Sequence, residues 1–122
     1  MRTFTKASAL VALVAVVALV AALSAFGRSS ATTTVATTAG KPSEFRFTLS
    51  KRTIRKGTAF FKVVNKGTTK HDFKIAGKKT IQLAPGKPAT LKIIFRKAGK
   101  YPYMCTLPGH ALAGMKGVLT VK

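Results

Sequence analysis

Three side chains that bind soft metal ions lie close together near the end of the chain. Cys105, His110 and Met115 occur in the segment CTLPGHALAGM and supply a thiolate, an imidazole and a thioether. A copper ion that transfers electrons is commonly held by two histidines, one cysteine and a weakly bound methionine. The segment lacks only a second histidine, and the chain contains one more, His71. These four residues together predict a copper site suited to electron transfer.

Each of these residues also has an ordinary role when it is considered alone. A buried cysteine is commonly inert, a histidine commonly lies at the surface, and a methionine commonly fills a core. The joint spacing, which includes both histidines of the chain, favours the metal site. Met104 provides a contrast, because strand alternation points it away from the face that Cys105 occupies. We therefore expect Met104 to be a core residue.

The N-terminus has the composition of an export signal. Arg2 and Lys6 supply positive charge, and residues 7–25 are an almost unbroken run of Ala, Val and Leu. We predict that residues 1–27 are a signal peptide, or a signal anchor because the run approaches the roughly 20 residues that span a bilayer. The protein would then work in the periplasm, outside the cell or at the cell surface, held by residues 7–25 if the signal is not cleaved.

The remaining chain divides by composition into a linker and one domain. Residues 28–41 are mostly Ser, Thr and Ala, which predicts a flexible linker. Residues 42–122 form a domain of about 80 residues, near the lower size limit for a core without a cross-link. A single cysteine excludes an internal disulfide and leaves an intermolecular, reactive or metal-bound thiol. The neighbouring residues favour the metal-bound thiol, and a bound metal would act as such a cross-link.

Short segments with alternating apolar and polar residues, separated by turn residues, follow one another through the domain. Seven segments have this pattern: residues 45–49, 59–64, 71–75, 80–83, 89–95, 101–105 and 117–121. No segment after the apolar run combines a sustained helical spacing of apolar residues with helix-capping residues, so no substantial helix is predicted. The pattern predicts an all-β Greek-key sandwich or barrel of about seven strands. Tyr101 lies where such folds often place a tyrosine whose hydroxyl bonds to the backbone, and a plain core position is the alternative.

The domain resembles the small cupredoxins, the type 1 (blue) copper proteins of the plastocyanin, azurin and rusticyanin superfamily. Four segments carry the resemblance, namely HDF (residues 71–73), GKYPYMC (99–105), PGH (108–110) and GMKG (114–117). The resemblance implies one type 1 copper per chain. It implies that His71, Cys105 and His110 are the equatorial ligands and that Met115 is the axial ligand. The Cys-x4-His-x4-Met spacing is similar to that of rusticyanin-like and auracyanin-like members.

The resemblance has one departure and one further implication. Asp72 stands where many cupredoxins have an asparagine that bonds to the ligand loop, and a carboxylate accepts but does not donate. We therefore expect this loop to be tethered differently.

The resemblance also implies that apolar residues around the loop histidine form a docking patch for redox partners, although they could simply pack the loop. These residues are Leu107, Pro108, Ala111, Leu112 and Ala113.

The chain is extremely basic. Its formal net charge is +20, and Glu44 and Asp72 are its only acidic residues. Such a charge attracts acidic redox partners or an anionic cell envelope. Nucleic acid is not an expected partner, because the protein is predicted to be exported and its lysines are scattered without a recognition motif. We expect a monomer.

The predicted function is single-electron transfer between redox partners by one copper ion, without catalysis. A binuclear purple copper site needs two cysteines, and multicopper oxidases and copper nitrite reductases need more histidines than this chain has. Two alternatives remain open. The protein could bind or hand on copper in the cell envelope without moving electrons, or the same residues could hold zinc, which also binds Cys and His.

Overall fold

The computed structural model describes residues 31–122, and the segment predicted as a signal or anchor (residues 1–27) lies outside that range. Nine strands form the described part of the chain. They are β1 (Ala31–Ala39), β2 (Phe47–Leu49), β3 (Thr53–Ile54), β4 (Gly57–Asn65), β5 (Lys74–Ile75), β6 (Lys78–Lys79), β7 (Pro88–Phe95), β8 (Gly99–Met104) and β9 (Lys116–Val121). Within residues 31–122 no helix is long and apolar enough to cross a membrane. The predicted all-β fold is confirmed, with nine strands rather than about seven.

The strands form two mixed sheets whose buried side chains make one core. The first sheet has the order β2-β1-β4-β7, and the second has the order β3-β9-β8-β5-β6. Burial alternates along β4, where Phe61 and Val63 are buried and Lys62 between them is exposed. Phe61 and Phe73 are in ring contact, with centroids 5.3 Å apart, within the cluster that both sheets share. This core fixes the ends of β8 and β9, between which the ligand loop lies.

The prediction that residues 28–41 form a flexible linker is wrong for residues 31–39, which are strand β1. This strand pairs in parallel with all nine residues of β4 and antiparallel with β2. Val35 is fully buried, whereas its neighbour Thr34 is exposed. The physical reason is that β-branched threonines favour strands, and small side chains suffice beside the large apolar residues of β4. The domain therefore includes residues that the composition assigned to the linker.

The tyrosine expected to bond to the backbone does so. The Tyr101 hydroxyl donates a hydrogen bond to the carbonyl oxygen of Lys97 at 2.7 Å. The ring also packs edge-to-face against Phe95, with the centroids 4.8 Å apart. This contact fixes the turn that leads from β7 into β8, and β8 ends directly before Cys105.

The expectation that Met104 lies in the core is wrong. Met104 does point away from the face of buried Cys105, as strand alternation predicts, but its side chain is 39% exposed. The reason is that only one face of this sheet is covered by the other sheet, so the opposite face is open to solvent.

Replacing Val35 tests whether β1 is part of the folded domain. Val35→Ala removes two buried methylene equivalents and leaves a small cavity, so the free energy of unfolding should fall by about 2 kcal/mol. The exposed neighbour provides the control, because Thr34→Ala should change stability by no more than about 0.5 kcal/mol. Urea denaturation measures both values. Equal effects of the two substitutions would show that residues 31–39 are not part of the core.

Candidate metal centre

Three of the predicted ligands lie on the loop between β8 and β9. Cys105 directly follows β8, and Met115 directly precedes β9. The loop is closed by its own backbone, because the Cys105 N–H donates to the Met115 carbonyl and the Met115 N–H donates to the His110 carbonyl, each at 3.1 Å. Cys105 and Met115 are fully buried, and His110 is partly exposed. The loop therefore holds all three side chains close together.

The fourth predicted ligand comes from a distant part of the chain. His71 forms an isolated bridge with Leu83, in which each backbone N–H donates to the other residue's carbonyl, at 3.1 and 2.7 Å. Its side chain is fully buried. The backbone N–H of the next residue, Asp72, lies 3.5 Å from Sγ of Cys105. The backbone of His71 is thus held by Leu83, and the backbone of Asp72 contacts the ligand cysteine.

The donor atoms of the two histidines and the cysteine face one another. Nδ1 of His71 lies 3.2 Å from Nδ1 of His110, and Sγ of Cys105 lies 4.0 and 3.5 Å from these two atoms. A point equidistant from all three atoms is about 2.1 Å from each, close to the 2.0 to 2.3 Å bonds of nitrogen and sulfur to zinc in proteins. The triangle therefore fits one first-row transition metal ion.

A carboxylate that the sequence analysis did not assign to the site sets the orientation of His71. Oε1 of Glu44 lies 2.8 Å from Nε2 of His71. A carboxylate can only accept, so Nε2 is the protonated nitrogen and the lone pair of Nδ1 faces the other ligands. A histidine that binds a metal commonly has such a carboxylate partner. One signal pointed to Glu44, because it is one of only two acidic side chains in the chain.

Glu44 is itself held by the turn that precedes His71. Its oxygens accept hydrogen bonds from the backbone N–H groups and the hydroxyls of Thr68 and Thr69, at 2.9 to 3.2 Å. Led by the Thr68 N–H, these bonds hold the pKa of Glu44 at about 2, below its ordinary value of 4.5. A Cβ on Gly67 would lie 2.6 Å from Oε1 of Glu44 and 2.8 Å from Nε2 of His71. Only glycine leaves room for this contact.

Asp72 tethers the ligand loop from the other side. Its carboxylate accepts a hydrogen bond from the Thr106 backbone N–H at 2.6 Å and another from the Thr106 hydroxyl. Asp72 is only 1% exposed, so both bonds form away from water, where a charged acceptor strengthens them. Thr106 follows Cys105 directly. The tether therefore fixes the cysteine relative to the segment that carries His71, and residue 72 acts only as an acceptor.

Burial alters the protonation of the ligands themselves. Desolvation raises the pKa of the Cys105 thiol, and hydrogen bonds from the backbone of Asp72 and Leu107 only partly oppose it. Desolvation lowers the pKa of His110. The cysteine is therefore a neutral thiol before a metal arrives, and His110 is a neutral imidazole. Because the metal binds the thiolate, its binding releases a proton from Cys105.

The five apolar residues predicted to form a docking patch differ in exposure. Leu112 is 93% exposed, and Pro108 and Ala113 are also exposed. Leu107 and Ala111 are half-buried, and Leu107 packs against the core. The loop therefore presents a small apolar surface, although Leu107 belongs partly to the interior.

Phe45 is a further contact that the sequence analysis did not assign to the site. Its ring packs edge-to-face against the His110 ring, with centroids 4.9 Å apart, and more distantly against His71 at 6.5 Å. Phe45 adjoins Glu44, so residues 44 and 45 contact both histidines from one side.

The model of the cupredoxin-like domain family matches residues 9–121 of this chain. Two curated proteins share shorter stretches. Auracyanin-B of Chloroflexus aurantiacus is 48% identical over 42 residues, which are 34% of this chain and 18% of that protein. The copper-resistant cuproprotein CopI of Pseudomonas aeruginosa is 44% identical over 43 residues, which are 35% of this chain and 24% of that protein. The matches thus span less than a quarter of either relative.

Solved structures of copper proteins have a similar fold. A structure of auracyanin B superposes with a TM-score of 0.66 at 23% identity, covering 79% of this chain and 92% of that one. Rusticyanin from Thiobacillus ferrooxidans superposes with a TM-score of 0.65 at 25% identity, covering 77% of this chain and 79% of that one. Auracyanin A of Chloroflexus aurantiacus, described as a "blue" copper protein, superposes with a TM-score of 0.65 at 19% identity. The superposition covers 75% of this chain and 100% of that one.

The low pKa of Glu44 predicts how the metal-free chain responds to acid. The pKa is lower in the folded chain, about 2, than its ordinary value of 4.5, so folding is stabilised by the ionised form. This contribution is complete above pH 4.5 and is lost as the pH falls toward 2. Glu44→Gln replaces the carboxylate with an amide, which does not titrate. Urea denaturation of both metal-free chains should give a difference in unfolding free energy that is constant from pH 7 to 5 and shrinks toward pH 3. A difference that does not shrink would contradict the assignment.

Proposed function

The chain belongs to the cupredoxin-like family, as its resemblance to small cupredoxins indicated, and we propose that it carries single electrons between redox partners. Its His71, Cys105, His110 and Met115 side chains are positioned as a type 1 copper site. The observation that carries the proposal is the convergence of one thiol and two imidazole donors, whose ligand atoms all lie within 4.8 Å of one another. A bound copper ion would supply the one-electron chemistry by alternating between Cu(I) and Cu(II).

The protein's own contribution is to hold the ligands in one geometry. His71 and His110 would each offer Nδ1, Cys105 its thiolate, and Met115 a weak axial thioether. The hydrogen bonds of Glu44 and Asp72 support a fixed arrangement, because each carboxylate joins a ligand or its neighbour to another part of the chain. A site that keeps its shape in both oxidation states needs little rearrangement when an electron moves.

The burial of the ligands favours one route for the electron. His71, Cys105 and Met115 are fully buried, whereas the His110 side chain reaches the surface among the apolar residues of its loop. We propose that redox partners dock on this patch (Leu107, Pro108, Ala111, Leu112 and Ala113) and exchange electrons through the His110 ring. The high positive charge would attract acidic partners over long distances, or hold the protein at an anionic cell envelope, while the apolar contact keeps each encounter brief.

The proposed location is the periplasm or the cell exterior. The apolar run at residues 7–25 behind Arg2 and Lys6 supports export, and residues 1–27 would be either cleaved or retained as an anchor. A lone thiol in an oxidising compartment is prone to oxidation, and coordination to copper would protect Cys105 there.

Copper handling in the cell envelope is the second candidate function. The shared stretch with CopI, whose name describes a copper-resistant cuproprotein, favours it. In that role the chain would bind copper without passing electrons to a partner. The two functions use the same ligands and differ in whether the bound copper is reduced and reoxidised reversibly.

Spectroscopy and electrochemistry of the Cu(II)-loaded chain test the first function. We expect an intense visible thiolate-to-copper band, a narrow parallel hyperfine splitting in the electron paramagnetic resonance spectrum, and a reversible one-electron wave. Cys105→Ser should abolish the band. The neighbouring substitution Met104→Leu should leave all three signals unchanged, because Met104 points away from the site. A pale spectrum that Cys105→Ser does not alter would rule out the type 1 site, and an irreversible wave with an intact band would favour copper handling.

The docking patch is tested by the rate of electron exchange with an acidic redox protein. Leu112→Ser should slow exchange about tenfold, corresponding to roughly 1.4 kcal/mol of lost docking energy, without altering the copper spectrum. The matched control is Ile94→Ser, since Ile94 is also exposed but lies on β7, away from the ligand loop. Raising the ionic strength should slow exchange in all three proteins. Equal rates for the two variants, or rates indifferent to salt, would contradict the proposed docking mode.

A further inference from the structure

A cavity of about 620 Å³ lies beside the ligand loop, and the proposed electron transfer makes no use of it. It opens where the start of β9 meets the segments before β2 and β3. Its wall includes Arg46, Arg52 and Lys116, which come from three separate parts of the chain. Tyr103 and Gly117 form another part of the wall.

The charge of this wall is not balanced by any acidic side chain. The two acidic residues of the whole sequence are Glu44 and Asp72, and both accept hydrogen bonds at the metal centre. Neither lines the cavity. Three cationic side chains around one concave space therefore produce a positive potential there that only a bound anion can neutralise.

Tyr103 adds a hydroxyl group to the wall of the same cavity. Tyr103 is only 6% exposed, and its hydroxyl lies directly against Gly117, where the approach is so close that no Cβ would fit. Among residues 31–122 this hydroxyl forms no hydrogen bond to the protein, unlike that of Tyr101, which bonds to Lys97, and it is not among the fully buried polar atoms. Its O–H group is therefore free to donate a hydrogen bond to an oxygen atom in the cavity.

The cavity is close to the metal centre but separate from the docking patch. The guanidinium group of Arg46 packs against Gly114, the residue before Met115, and Lys116 is the residue after it. None of the five patch residues lines the cavity. A ligand here would contact the base of the ligand loop and leave the exposed edge of His110 free.

We propose that this cavity binds an oxyanion, a phosphate or carboxylate group, between Arg46, Arg52, Lys116 and the Tyr103 hydroxyl. Guanidinium groups bind such groups through paired, charge-assisted hydrogen bonds, and the lysine and tyrosine add single donors. The group could belong to a free anion or to an acidic side chain of another protein. The inference does not depend on electron transfer, since it uses no copper ligand.

Nuclear magnetic resonance titration of the ¹⁵N-labelled full chain in its Cu(I) form tests the site. Inorganic phosphate and a short oligoglutamate peptide are the two probes, each added at constant ionic strength so that general screening does not change. We expect saturable shifts concentrated at the amides of Arg46, Arg52 and Gly117. Arg52→Gln should weaken binding at least fivefold, and Tyr103→Phe, which keeps the buried ring, should weaken it about threefold.

Arg55→Gln is the matched control, because it removes the same charge from an exposed residue that does not line the cavity. It should leave the affinity unchanged. Saturation with phosphate would support a free anion as the ligand, and saturation with the peptide alone would support a carboxylate on a partner. Two results would overturn the proposal: shifts that stay linear and scattered over the lysines with both probes, or equal losses for Arg52→Gln and Arg55→Gln. The absence of a type 1 copper spectrum would not affect the test of the oxyanion site, since the titration can be repeated on the metal-free chain.

Discussion

The Asp72 carboxylate joins the two segments that carry the copper ligands, and the geometry of the whole site depends on that junction. It follows His71 in sequence and binds both the backbone and the hydroxyl of Thr106, which follows Cys105. Glu44 makes the complementary connection by binding Nε2 of His71 and the turn that contains Thr68. A chain with a formal charge of +20 thus uses both of its acidic side chains for the same purpose. Each holds a ligand segment in place. Little water competes for the hydrogen bonds of buried Asp72, whereas Glu44 is partly exposed and accepts from several donors at once.

This use of charge divides the protein into two electrostatic regions. Within the site, two carboxylates lie near a cluster of donors that will bind a cation, so they favour the more highly charged oxidation state of the metal. Outside the site, the surface presents cationic side chains with no acidic side chain among them. The same composition therefore supports tight ligand geometry inside and attraction of anionic partners outside. In the cavity beside Lys116, cationic side chains line a concave surface, and we propose that this surface binds an oxyanion.

The four residues positioned as a copper site could be predicted from the sequence because their types are rare in this chain and three of them lie within residues 105–115. One cysteine and two histidines leave few other combinations. Strand β1 could not be predicted from hydrophobicity, since its Thr and Ala residues bury little by themselves and gain a core position only beside β4. Strand alternation fixed the direction of Met104 but not which face of the sheet meets solvent.

Contacts between distant segments were the least predictable part of the site. Glu44 precedes His71 by 27 residues, and nothing in the local sequence indicates that the two meet. The cationic cavity combines side chains from three strand ends, which only the folded topology brings together.

We infer that the protein sets the ligand geometry before a metal binds. Crystal structures of the metal-free and the Cu(II)-loaded chain test it most directly. We expect the side chains of His71, Cys105, His110 and Met115 to keep their rotamers and their donor atoms to move by no more than about 0.5 Å between the two states. The Glu44 and Asp72 hydrogen bonds should be present in both structures. A metal-free structure in which His71 has turned away from Glu44, or in which the loop carrying His110 has opened, would show that the metal itself sets this geometry.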